Sequence, residues 1–129
     1  MSAIDPSAPR VVLVDSDSAV RNAVSFSLEL DGFAVDAYAS AEAAKSALLP
    51  EHGCLVLDYN LPGMDGLQLL SGLRARSVTL PALLTATNPD KRLRRRASAA
   101  GVGIVEKPIL GEALVEGVRS ALHRFGGSR

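Results

Sequence analysis

Asp15 and Asp17 stand one serine apart, directly after the apolar run Val11-Val12-Leu13-Val14. Asp58 closes a second run, Leu55-Val56-Leu57, and opens the loop Asp-Tyr-Asn-Leu-Pro-Gly-Met-Asp-Gly. Thr85 follows a third run and Lys107-Pro108 a fourth. Taken singly, each is ordinary. An Asp after a strand forms turns or caps helices, Thr favours strands, and a lone Lys is a solvated charge. Taken together they have a chemistry. Carboxylates brought close repel one another unless a hard cation neutralises them, which is how Mg²⁺ is held. One carboxylate oxygen can then attack a phosphoryl group, while the ammonium and the hydroxyl balance the new phosphate oxygens. The expected product is an aspartyl phosphate.

These residues act together only if separate strands deliver them to one edge. Short apolar runs bounded by Gly, Pro and Asp occupy 11–14, 33–38, 54–57, 81–84 and 102–105, and they read as strands covered on both faces. Between them lie stretches with helical spacing. Val20, Val24 and Leu28 recur at i, i+4 and i+8, with Ala19, Ala23, Phe26 and Leu30 expected to widen that face. Ser40 is placed to cap a helix over 41–49, and Asp65 to cap one carrying Leu67, Leu70 and Leu73. A fourth helix holds the basic run after Asp90, and Leu110, Leu114, Val118 and Leu122 form the clearest stripe. Five βα units in this length predict an α/β fold, an open, doubly wound parallel sheet with helices on both faces. Such sheets bind ligands beyond the carboxyl ends of their strands, where four of the five runs place the polar residues above. The second run ends in Ala-Tyr-Ala-Ser and offers nothing ionisable.

The bulk properties restrict the alternatives. A chain of 129 residues is one domain by length, expected over 10–125, with flexible ends at 1–9 and 126–129. Hydrophobic residues make up 47% and charged residues 22%, which argues against disorder. Fourteen basic and fourteen acidic side chains cancel, so net charge gives no sign of nucleic acid. The single Cys54 excludes a disulfide framework within the chain. No apolar run approaches the roughly 18 residues of a membrane span, and the first ten residues lack a signal-peptide plan. A cytoplasmic protein without a membrane role is the expectation.

The segments Leu-Val-Leu-Asp-Tyr-Asn-Leu-Pro-Gly-Met-Asp-Gly, Leu-Leu-Thr-Ala-Thr and Val-Glu-Lys-Pro resemble the receiver domain of two-component response regulators. The resemblance covers roughly residues 10 to 125. It implies a flavodoxin-like sheet in the order 2-1-3-4-5, and phosphoryl transfer from a histidine kinase or phosphotransfer protein. By position, Asp58 would be the phosphoacceptor, Thr85 the switch hydroxyl and Lys107 the phosphate-binding ammonium. Asp15, Asp58 and the backbone carbonyl of Asn60 would hold Mg²⁺. Ala86 would offer a backbone N–H, and the Lys107-Pro108 bond would be cis. The domain would signal rather than act as an enzyme, although it would assist its own phosphorylation and dephosphorylation. The Asp-x-Asp of residues 15–17 also resembles the nucleophile motif of haloacid-dehalogenase-type phosphotransferases. That likeness fails on the rest, because no Asp follows Lys107 and the Asp58 loop would be unexplained.

Three departures from the receiver pattern matter. Ser16 stands where a second acid usually contacts the metal, which predicts weakened Mg²⁺ binding. Asp17 either replaces that ligand or caps the first helix, and its place at the turn favours the cap. Ile104 stands where the family usually has an aromatic residue, so the switch lacks a ring to relocate, and Ile109 stands where Phe is common. The run Lys91, Arg92, Arg94, Arg95 and Arg96 reads either as a solvated face or as a surface for an acidic protein partner, centred on Arg92, Arg95 and Arg96. There is no aromatic interleaving and no helix-turn-helix segment, so direct nucleic-acid binding is not expected. The chain is expected to be a monomer or a weak homodimer through the fourth and fifth helices. The reading is a single-domain response regulator. Its alternatives are a phosphorylation-independent pseudo-receiver and the isolated receiver domain of a DNA-binding regulator.

Overall fold

The computed structural model describes residues 8–109 and 111–125. Five parallel strands, β1 (Arg10–Val14), β2 (Ala34–Tyr38), β3 (Cys54–Asp58), β4 (Ala82–Ala86) and β5 (Gly103–Glu106), lie in the order β2-β1-β3-β4-β5. They alternate with α1 (Ser18–Leu30), α2 (Ala41–Ser46), α3 (Gly66–Ala75), α4 (Lys91–Ala99) and α5 (Gly111–Phe125). This is the expected flavodoxin-like architecture.

Side chains alternate across a strand, so each inner strand supplies two cores. Val11, Leu13, Cys54, Val56, Leu83 and Val105 pack with Val24 and Leu28 of α1 and with Leu114, Val115, Val118 and Ala121 of α5. Val12, Val14, Leu55, Leu57, Ala82 and Leu84 pack on the opposite face with α2, α3 and α4. Strands β3 and β4 are buried throughout, which explains their unbroken apolar character. Register then aligns the ends. Val14 pairs with Leu57, and Asp58 pairs with Thr85. Asp15 is the next residue beyond the first of those pairs, so Asp15, Asp58 and Thr85 reach one edge where the strand order reverses.

The α1 face is narrower than expected. Val24 and Leu28 are buried, whereas Ala19 and Ala23 are exposed, as are Phe26 at 63% and Leu30 at 72%. At about 100° per residue these four cluster roughly 130° from the line through Val20, Val24 and Leu28, so they cannot share it. Helix α2 ends at Ser46 rather than at 49. Ala47 turns extended, with ψ 154°, so the chain leaves the helix before Pro50, whose ring and missing N–H would break it. The guanidinium of Arg76 closes that end by donating to the carbonyls of Lys45 and Ala47.

The carbonyl of Pro9 accepts from Ala34 N at 2.9 Å, tying the chain just before β1 to the sheet. Of the expected flexible ends at 1–9 and 126–129, residues 1–7 and 126–129 lie outside the described residues, as does Leu110 of the α5 stripe. Among the described residues no helix is long and apolar enough to cross a membrane.

Candidate functional site

Asp15, Asp58 and Thr85 are the buried polar side chains among the described residues, at 2%, 4% and 1% exposure. Lys107 reaches them from the end of β5. Its Nζ lies 3.1 Å from Asp58 Oδ2 and 3.3 Å from Asp15 Oδ2, so one ammonium bridges two carboxylates from adjacent strands. The other carboxylate oxygens meet backbone donors. Asp17 N donates to Asp15 Oδ1 at 2.9 Å, and Asn60 N to Asp58 Oδ1 at 3.3 Å.

Burial and the neighbouring Asp15 charge push the Asp58 carboxyl above its ordinary range, while Lys107 and the Asn60 N–H oppose them. Burial pulls Lys107 down, but the two carboxylates outweigh it and leave the ammonium above its usual range. The pocket therefore favours a charged Lys107 and resists a charged Asp58.

The loop after Asp58 is held by its backbone. Tyr59 N donates to Thr85 O at 2.8 Å, and Tyr59 O accepts from Leu61 N and Gly66 N. Asn60 and Asp65 form an isolated bridge that closes the loop, and Gly63 turns it at φ +86°. Asp65 caps α3 in a reciprocal box with Gln68. Gly66 is required by a close approach, since a Cβ there would lie 2.5 Å from Asp58 O. Across the edge, Lys107 N donates to Ala86 O at 2.8 Å, and the Lys107-Pro108 bond is cis. Ile104 packs, half-buried, on the core shared with α2, α3 and α4.

Two expected residues sit apart from the pocket. Asp17 is the N-cap of α1, and its Oδ1 accepts from Ala19 N at 2.9 Å and Val20 N at 3.2 Å. The geometry is that of the cap, the option its position favours, rather than of the spare metal ligand. Ser16 is exposed. On α4, Arg92 and Arg95 are exposed, but Arg96 is half-buried and engaged within the chain. Its Nη1 donates to the Tyr59 hydroxyl at 3.3 Å, and its Nη2 lies 3.6 Å from Asp65 Oδ2. Arg94 pairs with Glu106 at 2.7 Å. Sequence reasoning missed Tyr59 and also Arg21, whose Nη1 donates to Asp15 O at 2.8 Å. Neither carries a motif signal, because both act through contacts that spacing along the chain does not reveal.

The donor set suits Mg²⁺, which takes hard oxygen ligands and commonly binds one or two carboxylates while retaining waters. Asp15 and Asp58 supply two buried carboxylates whose mutual repulsion a cation would relieve, beside the backbone of Asn60. Among the described residues no group of three or more His, Cys, Asp or Glu is gathered for a metal.

Comparison with known proteins agrees with this architecture. A family model described as the response regulator receiver domain matches residues 11–119. The transcriptional regulatory protein FixJ of Azorhizobium caulinodans is 36% identical over 121 residues, covering 92% of this chain and 57% of that protein. The response regulator protein FleR of Pseudomonas aeruginosa is 41% identical over 94% of this chain and 26% of its own length. The chain thus spans about half, or less, of these curated relatives. Among solved structures, the chemotaxis protein CheY4 of Vibrio cholerae superposes with a TM-score of 0.83 at 25% identity, covering 90% of this chain and 100% of that one. FixJ-N gives 0.79 at 31% identity, with 88% and 92% covered. With the sheet order, the acceptor-type loop and these matches in agreement, the chain belongs to the response regulator receiver domain family.

Proposed function

We propose that this receiver accepts a phosphoryl group on Asp58 from a histidine kinase or phosphotransfer protein, and signals in the cytoplasm through protein contacts. The observation that carries the reading is Lys107 Nζ bridging the buried Asp58 and Asp15 at 3.1 and 3.3 Å. A carboxylate oxygen of Asp58 attacks the donor's phosphorus as the P–N bond breaks. The imidazole nitrogen leaves with the bonding pair and takes up a proton, and an acyl phosphate forms on Asp58. Lys107 offsets the incoming charge, and the Thr85 hydroxyl and Ala86 N–H supply donors at the same edge. Asp15, Asp58 and the Asn60 carbonyl would hold Mg²⁺, which supplies neutralising charge for phosphoryl transfer when bound. The domain is a phosphoacceptor that assists its own phosphorylation and dephosphorylation rather than an enzyme turning over a separate substrate.

The exposed Lys91, Arg92 and Arg95 suit an acidic protein surface, and among the described residues none of them forms an ion pair. That basic face of α4, together with the exposed Glu112 and Glu116 of α5, supports weak self-association through α4 and α5, which sedimentation at low and high salt would reveal.

A second reading has an observation of its own. Ser16 offers no carboxylate and Asp17 is committed to its cap, which favours a pseudo-receiver that binds partners without phosphate. Incubation with acetyl phosphate and Mg²⁺ separates the two. A mass increase on Asp58 supports the switch, and an unlabelled Asp58 leaves the interaction module. The gene's reading frame separates a single-domain regulator from the receiver portion of a DNA-binding one.

A further inference from the structure

Ile104 of β5 carries no polar atom on its side chain, so a polar link from the acceptor to α4 runs elsewhere. One is present on the other side of the site. Tyr59 follows Asp58 directly, and its backbone N is bonded to Thr85 O at 2.8 Å. Its hydroxyl receives Arg96 of α4 at 3.3 Å, and the same guanidinium lies 3.6 Å from Asp65, the cap of α3. Asp65 is also bridged to Asn60. One side chain of α4 therefore holds both ends of the loop that follows the acceptor.

We infer that Arg96 is a positioning residue for Asp58, clasping Tyr59 and Asp65 so that the acceptor loop and α4 move as one unit. Arg96 serves the chain's own loop, and the partner-facing charge belongs to Lys91, Arg92 and Arg95. The side chain is well suited to the task. A guanidinium is planar and donates in two directions at once, so it satisfies a phenol and a carboxylate together, which an ammonium does less well. Both contacts are long, and Arg96 remains 38% exposed, so the clasp can be remade when the loop shifts. Phosphorylation replaces the carboxylate charge of Asp58 with a bulkier and more highly charged phosphate next to Tyr59, which is the perturbation the clasp would pass on. By linkage the relation is reciprocal, and a partner that fixes α4 also fixes the geometry at Asp58.

This inference rests on Asp58 being the acceptor, and the test separates the two. The chain has two tyrosines and no tryptophan, so in a Tyr38→Phe background tyrosine emission reports Tyr59 alone. Acetyl phosphate with Mg²⁺ is the phosphodonor, and mass spectrometry records the label on Asp58. Labelling is expected to change the emission with Arg96 present, to change it less with Arg96→Lys, and to leave it unchanged with Arg96→Met. The labelling rate is expected to fall about fivefold in Arg96→Met and in Tyr59→Phe, with the double variant no slower than either single one. Additive losses in the double variant, or a full emission change in Arg96→Met, would overturn the clasp while leaving the acceptor role intact. A wild-type Asp58 that never labels overturns the acceptor role, and the inference with it.

Discussion

Asp58 carries a charge that its surroundings resist. Burial and Asp15 raise its carboxyl above the ordinary 3.8, so the ionised form destabilises the fold at neutral pH, and protonation relieves that cost. Asp58→Asn keeps the shape and removes the charge. The variant is expected to melt at a higher temperature near pH 7 and to lose all acid-labile, hydroxylamine-sensitive label. Its advantage should fade as the pH falls through the raised Asp58 value, and thermal scans across that range would check the sign. The neighbouring acids divide by role. Asp17→Ala should cost about 1 kcal/mol of stability, the usual worth of an N-cap, and leave divalent-cation affinity unchanged. Ser16→Asp should tighten Mg²⁺ binding by on the order of 1–3 kcal/mol, the scale of one hydrogen bond to a charged group. If titration instead shows metal binding lost on Asp17→Ala, Asp17 leaves its cap to serve the ion. Only the first carboxylate of the Asp15-Ser16-Asp17 stretch is directed by the strand. The other, on Asp17, depends on how the helix begins, which explains why the stretch read two ways in sequence.

Elements were legible where one interaction decides them. Strands β1, β3 and β4 followed from unbroken apolar runs, and the caps Ser40 and Asp65 from side chains that satisfy helix N–H groups locally. The α1 face was misjudged because apolar residues spread over more of that helix than one face, and only the sheet decides which of them it covers. The end of α2 was missed because the helix stops short of Leu49, the residue that Pro50 restricts, and Arg76, which closes it, arrives from α3. Helix α4 shows a sharper limit. Its charge was visible, but five cations were indistinguishable until Arg94 met Glu106 and Arg96 met Tyr59. The exposed remainder should bind anions electrostatically. An acidic polyglutamate peptide, followed by anisotropy, should bind at low salt and release at high salt, and Arg92→Glu with Arg95→Glu should abolish the binding. Phosphorylation of that variant by acetyl phosphate should be unchanged. Equal binding by the reversed protein would make the run a solvated face.

At the scale of the molecule, the edge that gathers Asp15, Asp58, Thr85 and Lys107 was legible because parallel strands end together and the residues sit at run ends. The fine distances were not, since they depend on the register of β1, β3, β4 and β5 at once. The interior also holds a titratable group unrelated to that edge. Cys54 is fully buried at the start of β3, between the two central neighbours of the sheet, and burial pushes its thiol from an ordinary 9.0 to about 12. The folded state keeps the proton that the unfolded chain releases. Its contribution to stability is complete below about pH 9 and is lost as the pH rises from about 9 towards about 12. In that window it should lower stability by about 1.4 kcal/mol per pH unit. Other groups titrate there too, so the quantity to measure is the difference in slope between wild type and Cys54→Ala, from urea unfolding at several pH values. The wild type should fall more steeply. A central strand belongs to the most protected part of a fold, so thiol reagents should modify Cys54 only at the rate of global unfolding, and modification in native buffer at the rate of a free thiol would show that β3 opens on its own.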